Sequence, residues 1–413
     1  MALRLGTSPD STLLDRAPHA ARPARTVALA AARPRADAID FLRGLVMIIM
    51  VLDHTRDFVG MSGANPRDVH DAALFLTRWA THFCAPVFVL LSGVSAYLYG
   101  ARGRTTGELA TFLFTRGLWL IVIELTVVRL GWRFNLDAHL FVFQVIWVIG
   151  ASMVVLSGLV RLPRWAIATF GLALILGHNL LDGIRAADLG TAELLWHFLH
   201  EPARVHLAPG IEAFPLYSLI PWAGVMAAGY ALGPVMQWPT AQRRRWLAAA
   251  GLATILGFVL LRASNLYGDP APWAVQDGTL ATVLAFVNCE KYPPSALYLA
   301  MTLGPALVLL SLFGDRLPRP ASIVVTYGRV PLLFYVTHLF VVHAVAVVIA
   351  YTLFGDAAWL FKGLPIRSKP PGYGLGLPGV YAIWVGVVVA LYPLCRWFAA
   401  LKQRRRDWWL SYL

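Results

Sequence analysis

The chain has 413 residues, 58% of them hydrophobic and only 14% charged, with a mean hydropathy of +0.63. A soluble globular protein carries about a quarter charged residues, so the repeated apolar runs of about 20 residues point to a polytopic membrane protein. The formal charge of +13 does not argue for nucleic acid, because the basic residues fall in short gaps between apolar runs, and Cys84, Cys289 and Cys395 are too few and too scattered for a disulfide framework or a Cys-ligated zinc site.

Backbone polar groups must be paired internally in lipid, so the spans are expected to be helices, and the alternating pattern of a β-barrel is absent. The fold class predicted is all-α, with about ten transmembrane helices. Residues 1–38 are rich in Ala, Pro and Arg and read as a disordered basic cytoplasmic tail without a cleavable signal peptide. Residues 39–401 form one transmembrane domain, and residues 402–413 a basic cytoplasmic C-terminal tail. The spans are predicted at about 39–61, 73–100, 109–128, 139–160, 165–182, 214–235, 246–263, 293–313, 322–353 and 378–400. An even number puts both termini on one side. The basic connections "ARGRTTGE", "RLPR", the run Arg243–Arg245, "GDRLPRP" and "LKQRRRD" all fall on that same side, which is therefore cytoplasmic by the positive-inside rule. Longer loops near 183–213, 264–292 and 354–377 face the other way and have the length of functional loops.

Ionisable residues inside membrane helices are costly and line cavities or pathways. The first span carries Asp40 and Arg43, whose spacing suits a structural ion pair, and then "MVLDHTRDF". At about 1.5 Å per residue, His54 lies roughly 20 Å above the cytoplasmic end. Asp53 and Asp57 are four apart and share a face, whereas the spacing turns Arg56 elsewhere. A His with carboxylates beside it is the makeup of a general base; the plain structural reading is a polar cluster that ends the helix. His82 precedes Pro86 by one turn, where a kink should open space. His338 in "YVTHLFVVH" reaches a similar depth, with His343 further out. Three histidines at one level suggest a shared cavity. A tris-histidine metal site has no spacing to enforce it, and "HFLHE" at 197–201 reads as a short loop helix, so no metal is expected. Asn288, Lys291 and Tyr292 ahead of Pro293 and Pro294 form a polar cluster suited to substrate hydroxyl or carboxylate groups, or alternatively a snorkelling anchor. The small residues of "PWAGVMAAGYALG" suit close helix packing.

Together, "DFLRGLVMIIMVLDHTRDF", "THFCAPVFVLLSG", "PWAGVMAAGYALG", "NCEKYPPSALYL", "YGRVPLLFYVTHL" and "YPLCRWFAALKQRRRDWWLSYL" resemble the bacterial membrane proteins related to heparan-α-glucosaminide N-acetyltransferase, a branch of the transmembrane acyltransferase superfamily. The resemblance spans nearly all of residues 36–413. It implies a multi-pass protein of the bacterial cytoplasmic (inner) membrane. Such a protein would move an acetyl group from cytosolic acetyl-CoA to an amine or hydroxyl, in the lysosomal enzyme the terminal glucosamine of heparan sulfate. The partners implied are the lipid bilayer, acetyl-CoA and a small-molecule or glycan acceptor; nucleic acid is not among them, and a homodimer is compatible. The family's opening catalytic helix has a polar residue at the position of His54. The lysosomal enzyme's key His follows that helix, where His70 is the nearest candidate here, with a different spacing to "FCAPVF". His54, His70 and His82 therefore all stand as candidate bases.

The mechanism implied draws acetyl-CoA phosphates to Arg102, Arg104, Arg116 or Arg329. His54, oriented by Asp53 or Asp57, deprotonates the acceptor, while His82, His338 or Asn288 donates to the oxyanion. Arg56, Lys291 and Tyr292 are assigned to the acceptor. Direct transfer and an acetyl-histidine intermediate both fit. The alternative is a proton-coupled transporter or exporter with a mid-membrane histidine relay, although no internal repeat supports one.

Overall fold

The computed structural model describes residues 23–413 except 315–316, 364–367, 406, 408–409 and 411–413, with side chains from residue 37 onward. The protein is mostly helical. In chain order the helices are α1 (Pro23–Val59), α2 (Ala72–Thr81), α3 (Cys84–Gly100), α4 (Thr106–Ile123), α5 (Arg129–Arg133), α6 (Val145–Leu159), α7 (Arg164–Gly177), α8 (Glu193–Leu199), α9 (Leu219–Leu232), α10 (Thr240–Ser264), α11 (Thr279–Phe286), α12 (Ala296–Leu312), α13 (Ala321–Gly328), α14 (Pro331–Phe354) and α15 (Leu377–Arg404). The segment expected as an unstructured tail is helical from Pro23, consistent with its alanine content; residues 1–22 lie outside the described residues, as do several of the C-terminal tail.

Seven helical stretches among the described residues are long and apolar enough to cross a membrane: Ala72–Gly100, Thr106–Arg133, Arg164–Leu181, Leu219–Gln237, Thr240–Ser264, Pro331–Phe354 and Leu377–Arg404. The spans expected at 139–160 and 293–313 are the shorter apolar helices Val145–Leu159 and Ala296–Leu312, and that at 39–61 is the outer part of α1.

Local chemistry explains where expectation and structure part. The 139–160 segment opens not as helix but as strand β1 (Leu140–Val142), which runs parallel to β3 (Ile211–Phe214); β2 (Val205–Ala208) pairs antiparallel to β3, giving a three-stranded sheet. The 322–353 span is two helices. Pro331 lacks an N–H and drives Val330 out of the helical region, to φ −129°, ψ 51°. The kink expected near Pro86 is a break between α2 and α3. Pro86 has no N–H for the carbonyl of His82, four residues earlier, and the Tyr298 hydroxyl donates to that carbonyl instead, at 2.8 Å. "HFLHE" does begin in the short loop helix α8.

Helices pack in pairs: α1 on α13, α4 on α6, α3 on α9, α7 on α9 and α10 on α12. Glycines bring such pairs together backbone to backbone, α3 and α9 through Gly93 and Gly229 and two further pairs likewise. A Cβ at Gly328 would land on the carbonyl oxygen of Asp40, and one at Gly44 on that of Val324. Across the second pair, a Cβ at Gly117 or Gly150 would stand 2.6 or 2.5 Å from the other glycine's carbonyl oxygen.

Candidate active site

The C-terminal end of α1, called the outer end below, carries a charge cluster. Arg56 Nη2 lies 2.6 Å from Asp53 and 3.0 Å from Asp57. The expectation that Arg56 turns elsewhere is thus corrected: its long side chain folds back between the two carboxylates. Lys291 Nζ is 3.9 Å from the second oxygen of Asp53. The loop before α12 is held for this. Glu290 accepts the backbone N–H groups of Lys291 (3.0 Å) and Tyr292 (3.2 Å) and takes Arg67 from the α1–α2 loop at 3.1 Å. From α10, Arg262 donates to the carbonyls of Phe286, Ala271 and Asn288. Asn288 contributes that carbonyl, and the Tyr292 ring meets Tyr217 edge-on at 5.4 Å.

Of the histidines expected together, two meet. His54 Nδ1 is 2.7 Å from His338 Nε2, and His338 Nδ1 is 2.9 Å from the Phe334 carbonyl. A carbonyl only accepts, so His338 carries its proton on Nδ1. With both rings neutral, His338 Nε2 must then accept from the Nδ1–H of His54. His54 Nε2 is left as the basic nitrogen. His54 keeps partial exposure, while His338 and His82 are fully buried. Trp132 stands edge-on to His54 at 4.9 Å, and Tyr335, one turn before His338, at 6.2 Å. His82 lies apart from this pair, 5.3 Å from Tyr298. His70 is exposed in the loop after α1. His343 is a packing residue, bonded to the Gly131 carbonyl at 2.9 Å and stacked on Phe134 at 3.8 Å.

Two cavities lie near the pair, reached through neighbouring residues and lined by neither His54 nor His338. The outer one, about 500 Å³, is lined by Arg56, Asp57, Ser62, Asp71 and Lys369 among others. Lys369 caps α1, donating to the carbonyls of Arg56 (3.1 Å) and Gly60 (2.8 Å). Burial pulls its pKa down to about 8, against the pull of Asp57. The inner cavity, about 80 Å³, is lined by Arg43, Ser92, Arg116, Ile146, Pro331 and Tyr335 among others. Lys402 on α15 lies within electrostatic reach of Arg116 and Arg43.

Of the arginines assigned to phosphates, Arg116 alone lines this inner cavity. Arg329 pairs with Asp37 at 2.7 Å. Arg102 and Arg104 are exposed in the turn between α3 and α4, with Arg104 over the Tyr99 ring at 3.9 Å. Arg43 does pair with Asp40, at 2.9 Å, and also holds Ser95 (2.7 Å) and the Gly328 carbonyl (3.2 Å).

Sequence reasoning passed over several of these residues. Tyr335 is signalled by its i, i+3 spacing to His338 in "YVTH". Glu124, alone in "IVIELTVV", is buried in a π-helical turn and accepts the Trp147 N–H at 3.0 Å, capping α6. Lys369 gave no signal beyond its loop. Among the described residues, no group of three or more His, Cys, Asp or Glu side chains is placed to hold a metal ion.

No curated protein matches the chain. The model of the catalytic heparan-alpha-glucosaminide N-acetyltransferase family matches residues 35–264, more than half of the sequence and including the helix that carries His54. The chain therefore belongs to that family.

Proposed function

We propose that the protein is a membrane acetyltransferase that uses cytosolic acetyl-CoA and delivers the acetyl group to an amine or hydroxyl, on a sugar, at the opposite face. The reading includes ten spans over residues 39–401, both termini cytoplasmic, and the bacterial cytoplasmic membrane as location. The observation that carries it is the Phe334–His338–His54 hydrogen-bond chain, whose neighbours on α1 and α14 line two separate cavities. Tyr335 links it to the inner one, and Arg56 and Asp57, within one turn of His54, to the outer one.

Acetyl-CoA supplies the acetyl group as an activated thioester. The cations near the inner mouth other than the engaged Arg43, namely Arg116 and Lys402, suit its phosphates, and the narrow slot suits its thin arm. His54 Nε2 takes the proton from the acceptor amine or hydroxyl as that atom bonds to the acyl carbon, and returns it to the sulfur when the carbon–sulfur bond breaks. His338 fixes the His54 tautomer and shares the charge of the imidazolium. The Tyr335 hydroxyl is the donor placed for the developing oxyanion. Asp53 and Asp57 act through Arg56, shaping the acceptor site together with Lys291 and Lys369.

The test uses purified protein in proteoliposomes with acetyl-CoA on one side and an amino sugar on the other. Acetylated sugar on the far side, with thermal stabilisation by acetyl-CoA, supports the reading. Absence of both, with proton-coupled solute flux in their place, would replace it with the transporter.

A further inference from the structure

Two side chains on α2 and its end have no part in the transfer just described. Arg78 is 9% exposed and His82 is 0% exposed. They are four residues apart in a continuous right-handed helical stretch and so face one side. Among the described residues neither nitrogen of the His82 ring has a hydrogen-bond partner. The negative charge within reach of Arg78 is Asp53, but Asp53 gives one oxygen to Arg56 and turns the other toward Lys291. Among the described residues the largely buried Arg78 side chain makes no hydrogen bond or ion pair of its own.

The local charge is lopsided. Arg56, Arg78, Lys291 and Lys369 stand with Asp53 and Asp57, both already bound to Arg56, while the nearby Glu290 carboxylate is taken up by Arg67 and the Lys291 backbone. The charges of Arg78, Lys291, Asp53 and Arg56 all reach the His82 ring. A buried cation without a counter-charge is strongly disfavoured, and a buried ring with two unmade hydrogen bonds adds to that cost. Both are relieved by one ligand. An anion accepts from the guanidinium, from the ammonium and from the imidazole N–H at once.

We propose that Arg78, His82 and Lys291 form a binding site for a small anionic group in the outer half of the bundle. It lies one helical turn inward from Leu74, which lines the outer cavity. The anion is either an acidic substituent on the acceptor or a free inorganic ion. The first source rests on the acetyltransferase reading; the second does not.

The experiment follows thermal unfolding of the full chain in detergent, in sodium gluconate and then in sodium chloride or sodium sulfate at equal ionic strength. Wild type, Arg78→Gln and Arg78→Lys are compared, with Lys291→Gln as a second probe. In gluconate, Arg78→Gln should unfold at a higher temperature than wild type, because the unmatched charge is gone. Chloride or sulfate should raise the wild-type midpoint saturably by about 2–4 °C. The shift should vanish in Arg78→Gln, return in Arg78→Lys with half-saturation at least about tenfold weaker, and weaken in Lys291→Gln. A second arm compares glucosamine with glucosamine 6-sulfate as stabilising ligands. Tighter binding of the sulfated sugar that depends on Arg78 assigns the anion to the acceptor; equal binding of the two sugars, with the inorganic shift intact, assigns it to a resident ion. An anion shift that is absent from wild type, or equal in all four proteins, overturns the site. None of these readouts needs acetyl transfer, so an anion-binding protein that transfers nothing would sink the enzyme reading alone.

Discussion

The two cavities nearest His54 are built on opposite principles. The inner one is about 80 Å³, and its best-placed cation, Arg43, is saturated by Asp40, Ser95 and a carbonyl. The outer one is about 500 Å³, and its wall alternates two cations, Arg56 and Lys369, with two carboxylates, Asp57 and Asp71. A narrow slot with satisfied walls selects one slim shape, whereas a roomy charged bowl accommodates hydrated groups of several shapes and chooses by charge. The difference teaches that the donor should be recognised strictly and the acceptor loosely.

Four measurements break or sharpen that contrast. Replacing His54 by Ala removes the proposed base. kcat should fall by about 10³-fold while acetyl-CoA still stabilises the fold; a near-wild-type kcat would move the base elsewhere. His338→Gln leaves the slot filled but frees the His54 tautomer. A loss of about 10–100-fold in kcat with little change in either KM is expected, together with a shifted pH–rate profile. Arg116→Gln touches the inner mouth alone, and should raise KM for acetyl-CoA by about tenfold while leaving KM for the sugar unchanged; an equal rise in both would erase the distinction between the cavities.

The smallest effect concerns Lys369 in the outer bowl. Its folded pKa of about 8 lies below the usual 10.5, so between those values the unfolded chain binds the extra proton and stability rises with pH. Charged Lys369 therefore costs stability below pH 8, and that cost is relieved between pH 8 and 10.5. Unfolding of Lys369→Met against wild type across pH 7–10.5 should show the wild type gaining on the variant. Acceptor binding should weaken over the same range as the ammonium is lost. A flat difference would place Lys369 in bulk water.

Much of α1 and of the α2–α3 break was legible because the signals are local. A 3.6-residue repeat, ionisable groups in an apolar run and Pro86 one turn after His82 each act within a few residues. The Asp40–Arg43 pair is of the same kind. The His54–His338 bond joins residues 284 apart in sequence, and no spacing encodes it. Arg56 was misread because helical spacing fixes where Cβ points, not where a six-atom arm ends. Arg329 was assigned to phosphates because its sequence gap to Asp37 hid their contact. The strand at Leu140–Val142 was missed because a short β-rich run beside a helix looks like the helix's first turn until its partner at Ile211–Phe214 is known.

The glycine contacts have a bearing on how the slot admits a pantetheine. With Gly44 against α13 and Gly328 against α1, and with Gly117 against Gly150, each couple is locked backbone to backbone and is expected to move as one rigid plank. Widening then comes from the planks parting, not from any single helix bending. Spin labels on α4 and α6 should keep their separation when acetyl-CoA is added, while labels on α1 and α4 draw apart; the opposite pattern would mean that the planks themselves come unglued.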